Sequence, residues 1–302
     1  MLVLEDVSGC DRTRRAVGLH GISFQAERGE IVGVIGAARS GKTALLRILA
    51  GRRIPAAGTV RLDVAAEGAA AVVGYAGEVP LLPPELTGVE WLQYLAGHRC
   101  DTASARTDAV REALQLGELE CVGGLRIGSY PRDLAQRLAI AGAVLAGTRL
   151  VLLDEVFRAL DPIVSERLAD RVARLAATGR LVVLSGKDLA VVERIATRVL
   201  ILRDGRLVAD VHMASLRGER VLELTLAGSA LHMVDRLREL FPATVRSGTG
   251  MALPLTGGMT VEHVLAACRA ERIAVAGTRM RYRALEDLLR ATHVSGLSAA
   301  RG

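Results

Sequence analysis

Two short segments of this chain combine residue types that bind phosphate and activate water. The first, residues 36–43, reads GAARSGKT and fits the pattern G-x-x-x-x-G-K-[ST]. In that pattern backbone N–H groups surround phosphate oxygens, a lysine such as Lys42 neutralises their charge, and a hydroxyl such as that of Thr43 binds Mg²⁺. The second segment places Asp154 and Glu155 directly after an apolar run. One carboxylate can anchor the metal there, and the other can polarise an attacking water.

Short apolar elements must position these segments. Residues 30–35 predict a strand that runs into the glycine-containing loop, and residues 42–50 predict the helix that follows it. Residues 150–153 predict a second buried strand that ends at the carboxylates, and residues 2–7 and 22–26 predict two more strands. A chance match to the loop pattern and a solvated strand end are the alternatives. The strand, loop and helix order favours a phosphate site over both.

The composition limits the class of protein. The chain has 302 residues, of which 50% are hydrophobic, and a formal net charge of +6. Lys42 and Lys187 are its only lysines, and the many arginines are dispersed without basic runs among aromatic residues, so we expect no nucleic-acid partner. The four cysteines include no C-x-x-C pair, which argues against zinc and a disulfide framework. Because no apolar run could span a bilayer and no leader is recognisable, we expect a cytoplasmic protein, peripheral to a membrane through a partner.

The order of the motifs resembles that of an ATP-binding-cassette (ABC) ATPase over about residues 1–217. Residues 36–43 resemble the Walker A loop, residues 150–155 the Walker B strand with its catalytic glutamate, and Leu160-Asp161 the D-loop. Residues 73–90 resemble the lid region of drug-efflux exporters whose permease is a separate chain. The resemblance therefore places the chain with the ATP-binding subunits of ABC transporters.

This resemblance implies a fold, two cofactors and a set of site residues. We expect an α/β P-loop NTPase fold, with the ABC ATPase domain at residues 1–218 and its helical lid at about 85–147. The expected cofactors are ATP and Mg²⁺, with the metal on Thr43 and Asp154 and with Glu78 as a candidate third ligand. The expected catalytic residues are Glu155, Lys187 and Glu78. The expected nucleotide-binding residues are Gly36, Ala37, Ala38, Arg39, Ser40, Gly41, Lys42, Thr43, Ala44, Asp154 and Asp161.

Four contacts of the family pattern are altered. Glu78 stands where a glutamine is expected, residues 130–134 (YPRDL) replace the signature, and Lys187 replaces the switch histidine. Residues 8–17 offer no aromatic side chain to stack on adenine. Pro131 has neither a hydroxyl nor an N–H with which to bind a γ-phosphate, so we expect slow or partner-dependent hydrolysis.

These departures leave alternatives open. Pro131 and Asp133 can simply cap a helix. Glu78 and Lys187 form a compensating pair at the γ-phosphate, Lys187 acts there as a fixed cation, or both positions drifted after catalysis was lost. Arg39 occupies a loop position that is usually glycine, and its side chain either approaches the phosphates or the dimer partner, or faces solvent.

The function implied by the resemblance is ATP-driven transport. The chain would couple Mg-ATP binding and hydrolysis to transport, in the export direction, by a separate permease at the inner face of the cell membrane. Such ATPases share their sites across a head-to-tail dimer, so the partner is a second copy or, favoured by the altered signature, a different ABC ATPase. The alternative is a catalytically weak or inactive subunit that pairs with an active one. A soluble ATPase acting on ribosomes or DNA is disfavoured, because the chain has no second cassette and no long coiled-coil insertion.

Residues 219–302 predict a separate, small α+β domain. The element order β-α-β-β-α-β-α is typical of a ferredoxin-like fold. Residues 284–287 (ALED) resemble the string that opens the last helix of the C-terminal appendage in drug-efflux and sodium-export cassette ATPases. We expect this domain to stabilise a dimer or to regulate activity, and packing alone is the alternative. The predicted strands are 221–226, 244–246, 251–255 and 273–282, and the predicted helices are 230–240, 260–272 and 284–291.

Overall fold

The chain forms two compact units, Met1–Asp210 and Val211–Gly302. The computed structural model describes residues 1–11, 16–62, 73–227, 231–247, 250–256 and 258–290. Each unit has its own hydrophobic core. Within the described residues no helix is long and apolar enough to cross a membrane.

The secondary structure of the first part of the chain alternates strands and helices. Its strands are β1 (Leu2–Asp11), β2 (Ala16–Ala26), β3 (Ile31–Ile35), β4 (Ala57–Leu62), β5 (Val73–Ala76), β6 (Leu150–Asp154), β7 (Leu181–Ser185), β8 (Arg198–Arg203) and β9 (Arg206–His212). Its helices are α1 (Lys42–Leu49), α2 (Gly88–Gly97), α3 (Ala103–Gly117), α4 (Arg132–Ala146), α5 (Pro162–Ala177) and α6 (Leu189–Ile195).

A six-stranded sheet in the order β5-β6-β7-β3-β8-β9 carries the predicted site. The pairs β5–β6, β6–β7, β3–β7 and β3–β8 are parallel. Strands β3, β6 and β7 are buried along their whole length, as expected for parallel strands covered on both faces. The carboxyl ends of β3 and β6 therefore lie at the same edge of the sheet, which brings the loop after Ile35 and the carboxylate of Asp154 to that edge.

A second, antiparallel sheet in the order β2-β1-β4 shares the core of the first unit. Leu4 and Ile22 from this sheet belong to the same buried cluster as Val32 of β3 and Leu45 of α1. The predicted strands 2–7 and 22–26 are confirmed and are longer in the structure, but β4 is missing from the sequence-based assignment. The reason is that β4 is mostly exposed and lacks a clear apolar pattern.

Helices α2, α3 and α4 enclose a second core within the first unit. Its buried members include Leu92, Val110 and Leu138. Helix α2 begins with a capping box, in which Thr87 and Glu90 satisfy each other's backbone N–H groups. Helix α4 also packs on β5. These helices lie in the part of the chain for which the sequence predicts a helical lid.

The second unit contains a four-stranded antiparallel sheet in the order β11-β12-β10-β13, where β10 is Arg220–Leu226, β11 is Val245–Ser247, β12 is Gly250–Pro254 and β13 is Val275–Tyr282. Its helices are α7 (Met213–Gly218), α8 (Leu231–Leu240) and α9 (Val261–Ala270), and residues 285–290 are also helical. Side chains of β10, α8, β12 and α9, including Leu222, Leu237, Leu253 and Val264, form its core. The predicted strands and helices of this region are confirmed with small shifts of their ends. Ala230 and Ala291, at the ends of two predicted helices, lie outside the described residues.

Candidate functional site

The loop between β3 and α1 depends on glycines at positions where its backbone passes close to neighbouring atoms of the chain. Gly36 has φ +150°, and a Cβ at this position would lie 2.1 Å from the carbonyl oxygen of Leu202. Gly41 has φ +106° and precedes the first turn of α1. The hydroxyl of Ser40 is buried and has no hydrogen-bond partner among the described residues. A buried donor without a partner fits a loop that supplies hydrogen bonds to phosphate oxygens.

Lys42 projects its ammonium back over this loop. Its Nζ donates hydrogen bonds to the carbonyl oxygens of Gly36 and Ala37, both at 3.0 Å, and lies 3.6 Å from a carboxylate oxygen of Glu155. Burial lowers the pKa of Lys42, while the Glu155 carboxylate acts in the opposite direction. The ammonium is therefore held at the loop by weak acceptors and one carboxylate, all of which a phosphate can replace.

Three hydroxyl groups hold the buried carboxylate of Asp154 at the end of β6. Its Oδ1 accepts hydrogen bonds from Ser185 Oγ at 2.6 Å and from Thr43 Oγ1 at 3.2 Å, and its Oδ2 accepts one from the Tyr75 hydroxyl at 3.2 Å. Burial raises the pKa of Asp154, and these hydrogen bonds oppose the shift. The Thr43 hydroxyl and the Asp154 carboxylate are thus adjacent oxygen donors of the kind that Mg²⁺ prefers.

Glu155 follows with a left-handed backbone, at φ +51° and ψ +29°. Its N–H donates to both the carbonyl and the hydroxyl oxygen of Ser185, each at 3.1 Å. Its carboxylate is only 8% exposed and lies between two cations, with Lys42 Nζ at 3.6 Å and Lys187 Nζ at 3.4 Å. The unusual backbone conformation is therefore fixed by β7 and aims the carboxylate between the two lysines.

Glu78 and Lys187 have different ion-pair partners in the structure, and their compensation at a γ-phosphate stays a prediction. Glu78 forms an ion pair with Arg158 at 2.8 Å, and Lys187 pairs with Glu155. No described hydrogen bond or ion pair joins Glu78 to Lys187, Thr43 or Asp154. Both side chains are about half exposed, but the Lys187 ammonium contacts the buried Glu155 carboxylate and the Glu78 carboxylate contacts the exposed Arg158.

The remaining predicted residues lie at helix starts or on the loop. Pro131 is the residue before the first turn of α4 and makes no side-chain cap, and Asp133 lies in that first turn. Asp161 caps α5, because its Oδ1 accepts a hydrogen bond from the N–H of Ile163 at 2.9 Å. Ala44 packs against the hydrophobic core behind the loop. Ala37, Ala38 and Arg39 are exposed on the loop.

The structure thus brings together Lys42, Thr43, Asp154, Glu155 and Lys187, and leaves Glu78 and Asp161 with other partners. Sequence reasoning missed Ser185 and the hydroxyl of Tyr75 as partners of Asp154. The polar residue at the end of the buried strand β7 is the signal that could have identified Ser185, since neighbouring parallel strands end at the same sheet edge. Tyr75 carries no comparable signal.

Comparison with known proteins identifies the family of this region. Residues 19–158 match the family described as ABC transporter. An uncharacterised ABC transporter ATP-binding protein of Nostoc sp. is 31% identical over 68% of this chain and 63% of its own length. The methionine import ATP-binding protein MetN of Caulobacter vibrioides is 32% identical over 70% of this chain and 66% of its own length. The Nod factor export ATP-binding protein I of Paraburkholderia xenovorans is 28% identical over 79% of this chain and 82% of its own length.

Solved structures share the fold. An ATP-binding subunit of an ABC transporter is 26% identical, with a TM-score of 0.64 over 72% of this chain and 92% of its own. A dimeric ATP-binding cassette described as a post-hydrolysis state bound to ADP and Pi is 23% identical. Its TM-score is also 0.64, over 70% of this chain and 99% of its own. The chain therefore contains an ABC transporter ATP-binding domain with the P-loop NTPase fold. The match places residues 19–158 in an ATPase family, and the chain spans less than two thirds of the length of the Nostoc and Caulobacter relatives.

Proposed function

We propose that this chain is the ATP-binding subunit of an ABC transporter and couples Mg-ATP binding and hydrolysis to transport by a separate membrane permease. One observation carries the proposal. Lys42, Thr43, Asp154 and Glu155 come from two distant segments of the chain and meet at one point beside the glycine-containing loop, and all but Thr43 are buried. Phosphate binding, metal binding and activation of water need these residue types at one point.

Each residue has a chemical task in this proposal. The Lys42 ammonium exchanges the carbonyl oxygens of Gly36 and Ala37 for phosphate oxygens. Thr43 and Asp154 hold Mg²⁺, which supplies positive charge at the phosphates when bound. Glu155 accepts the proton of the attacking water, because its carboxylate is positioned by its backbone and by two cations.

Lys187 acts in this proposal as the positioning group for Glu155. Its contact at 3.4 Å leaves the carboxylate with two cationic neighbours, and release of one of them on nucleotide binding frees an oxygen for water.

The transport direction and location are further parts of the proposal. The lid-region resemblance supports export, while the relatives include proteins named for methionine import and for Nod factor export. We place the chain in the cytoplasm, peripheral at the inner face of the cell membrane, with a permease and a second ABC ATPase or a second copy as partners. The dimeric solved cassette is consistent with pairing of two such domains.

A catalytically weak subunit that pairs with an active ATPase in a heterodimer is the second candidate. Pro131 favours it, because the start of α4 lacks the hydroxyl and the N–H with which a signature serine would grip the phosphate of the opposite site. Glu155 favours the active enzyme. The two candidates differ in whether the isolated chain turns over ATP.

Residues 219–302, within the second unit, are proposed to form a ferredoxin-like accessory domain that stabilises a dimer or regulates activity. Its β-α-β-β-α-β order and its antiparallel sheet order β11-β12-β10-β13 support this fold. Removal of this unit is expected to change the dimer's dissociation constant more than the nucleotide affinity of the first unit.

A steady-state ATPase assay tests the main proposal. Wild type is compared with Glu155→Gln, which is expected to lower turnover by about a hundredfold or more while keeping ATP bound. Lys42→Ala is expected to abolish ATP binding and serves as the control for a contaminating ATPase. A wild-type rate equal to that of Glu155→Gln, in the presence of bound ATP, would favour the weak subunit. Copurification with a candidate permease then tests the transporter assignment.

A further inference from the structure

Arg39 lies in the phosphate loop in a backbone conformation that disfavours its side chain. Its φ is +66°, in the left-handed region. A residue other than glycine costs about 1–2 kcal/mol there. The phosphate-binding pattern itself leaves this position free, so the fold does not demand an arginine. A strained residue in a binding loop is an indication of function.

The guanidinium of Arg39 has no partner in the described part of the chain. Its side chain is exposed and makes no hydrogen bond or ion pair there. Three other cations described above are engaged, since Lys42 and Lys187 contact Glu155 and Arg158 contacts Glu78. Arg39 is therefore a cation that the described residues of the loop leave available to a ligand.

The charges of the constellation explain why an additional cation is useful. Lys42 and Lys187 balance Asp154 and Glu155, so these four groups together carry no net charge. A triphosphate remains anionic even with Mg²⁺ bound. Arg39 is placed on the same loop and adds the positive charge that the balanced groups do not provide.

We propose that Arg39 grips the terminal phosphate of a nucleoside triphosphate bound in this chain's own loop, and so is a further binding and catalytic residue. This inference rests on the proposed function. The planar guanidinium offers two parallel N–H donors that match phosphate oxygens. It would supply, from within the same chain, donors that Pro131 of a second copy cannot offer. Its charge also stabilises the phosphate oxygens as the bond to the leaving diphosphate breaks.

Titration calorimetry with Mg²⁺ and either a non-hydrolysable ATP analogue or ADP tests the inference. Arg39→Gly is expected to weaken binding of the analogue by about tenfold to a hundredfold and that of ADP by less than about threefold. Arg39→Lys, which keeps the charge and loses the paired donors, is expected to fall between wild type and Arg39→Gly. Unchanged affinity for the analogue, or an equal loss for ADP, would overturn the assignment.

Arg272→Gly is the matched control. Arg272 is also an exposed arginine in the left-handed region, with φ +56°, and lies in the second unit. Its replacement is expected to leave both affinities unchanged. An equal loss in Arg272→Gly would assign the effect to net charge rather than to the loop and would overturn the inference.

Thermal melting of the nucleotide-free protein checks the strain on which the inference depends. Because glycine relieves the left-handed φ, Arg39→Gly is expected to melt no lower than wild type. A lower melting temperature would contradict the premise.

Failure of this inference and failure of the proposed function are distinguishable. Wild-type protein that binds no ATP analogue, and that matches Lys42→Ala, refutes the nucleotide site itself. Wild-type protein that binds the analogue with the same affinity as Arg39→Gly refutes only the role of Arg39.

Discussion

The ion pair between Lys187 and Glu155 should stabilise the protein more than the shorter pair between Arg158 and Glu78. The first pair is 3.4 Å apart, with Glu155 8% exposed and Lys187 46% exposed. The second is 2.8 Å apart, with both side chains exposed. Burial rather than distance decides the order, because water screens the second pair from all sides.

The magnitude follows from Coulomb's law. Unit charges 3.4 Å apart gain about 1 kcal/mol in water and about 5 kcal/mol at an effective dielectric constant of about 20. The half-exposed Lys187 ammonium keeps water near the pair, and fixing its side chain costs entropy, so we expect a coupling free energy of about 1–2 kcal/mol. The exposed Arg158–Glu78 pair is expected to give less than about 1 kcal/mol.

Double-mutant cycles measure both couplings. One cycle combines Lys187→Met with Glu155→Gln, and the other combines Arg158→Met with Glu78→Gln. The contact of Lys42 with Glu155 cancels within the first cycle because it is lost in both Glu155→Gln variants.

Urea unfolding of the nucleotide-free protein, monitored by the fluorescence of Trp91, supplies the free energies. This residue is the only tryptophan in the chain, lies in α2 and reports on the first unit. Salt at about 1 M should remove most of the Arg158–Glu78 coupling and less of the Lys187–Glu155 coupling. A coupling near zero for Lys187–Glu155, or a larger one for Arg158–Glu78, would refute the reasoning from burial.

Three further predictions concern single side chains. Asp154→Asn should raise the free energy of unfolding by about 1 kcal/mol at neutral pH, because it removes a buried charge whose pKa burial raises. This gain in the free energy of unfolding should shrink as pH falls, since wild-type Asp154 then takes up a proton in the folded state. A gain that is larger at acid pH, measured by urea unfolding, would contradict the reasoning. Tyr75→Phe should raise the Mg²⁺ concentration needed for nucleotide binding by about threefold to tenfold, and an unchanged requirement shows that its hydroxyl does not orient Asp154. Gly74→Ala should lower stability by about 3 kcal/mol in urea, because its Cβ would lie 1.8 Å from the carbonyl oxygen of Ala143. Gly97→Ala, with no atom near its Cβ, is the control, and equal losses in the two variants would contradict this origin.

Local sequence was sufficient to locate the loop and the carboxylates. The alternation between apolar runs and glycine or charged residues predicts β3, α1 and β6, because the hydrophobic pattern is a property of adjacent residues. Strand β4 was not predictable in this way, since its exposed residues carry no apolar period and its position depends on pairing with β1.

The sequence by itself determined that Lys42, Thr43, Asp154 and Glu155 have the chemistry of a phosphate and metal site, because residue type and spacing decide donors, acceptors and charge. Only the tertiary structure decided how the charges are paired. In the structure Lys187 pairs with Glu155, and Arg158 pairs with Glu78. The hydroxyls of Ser185 and Tyr75 donate hydrogen bonds to Asp154. Arg39 has no partner among the described residues. The physical reason is that pairing depends on distance and burial, and both are set by which strands of the sheet lie side by side.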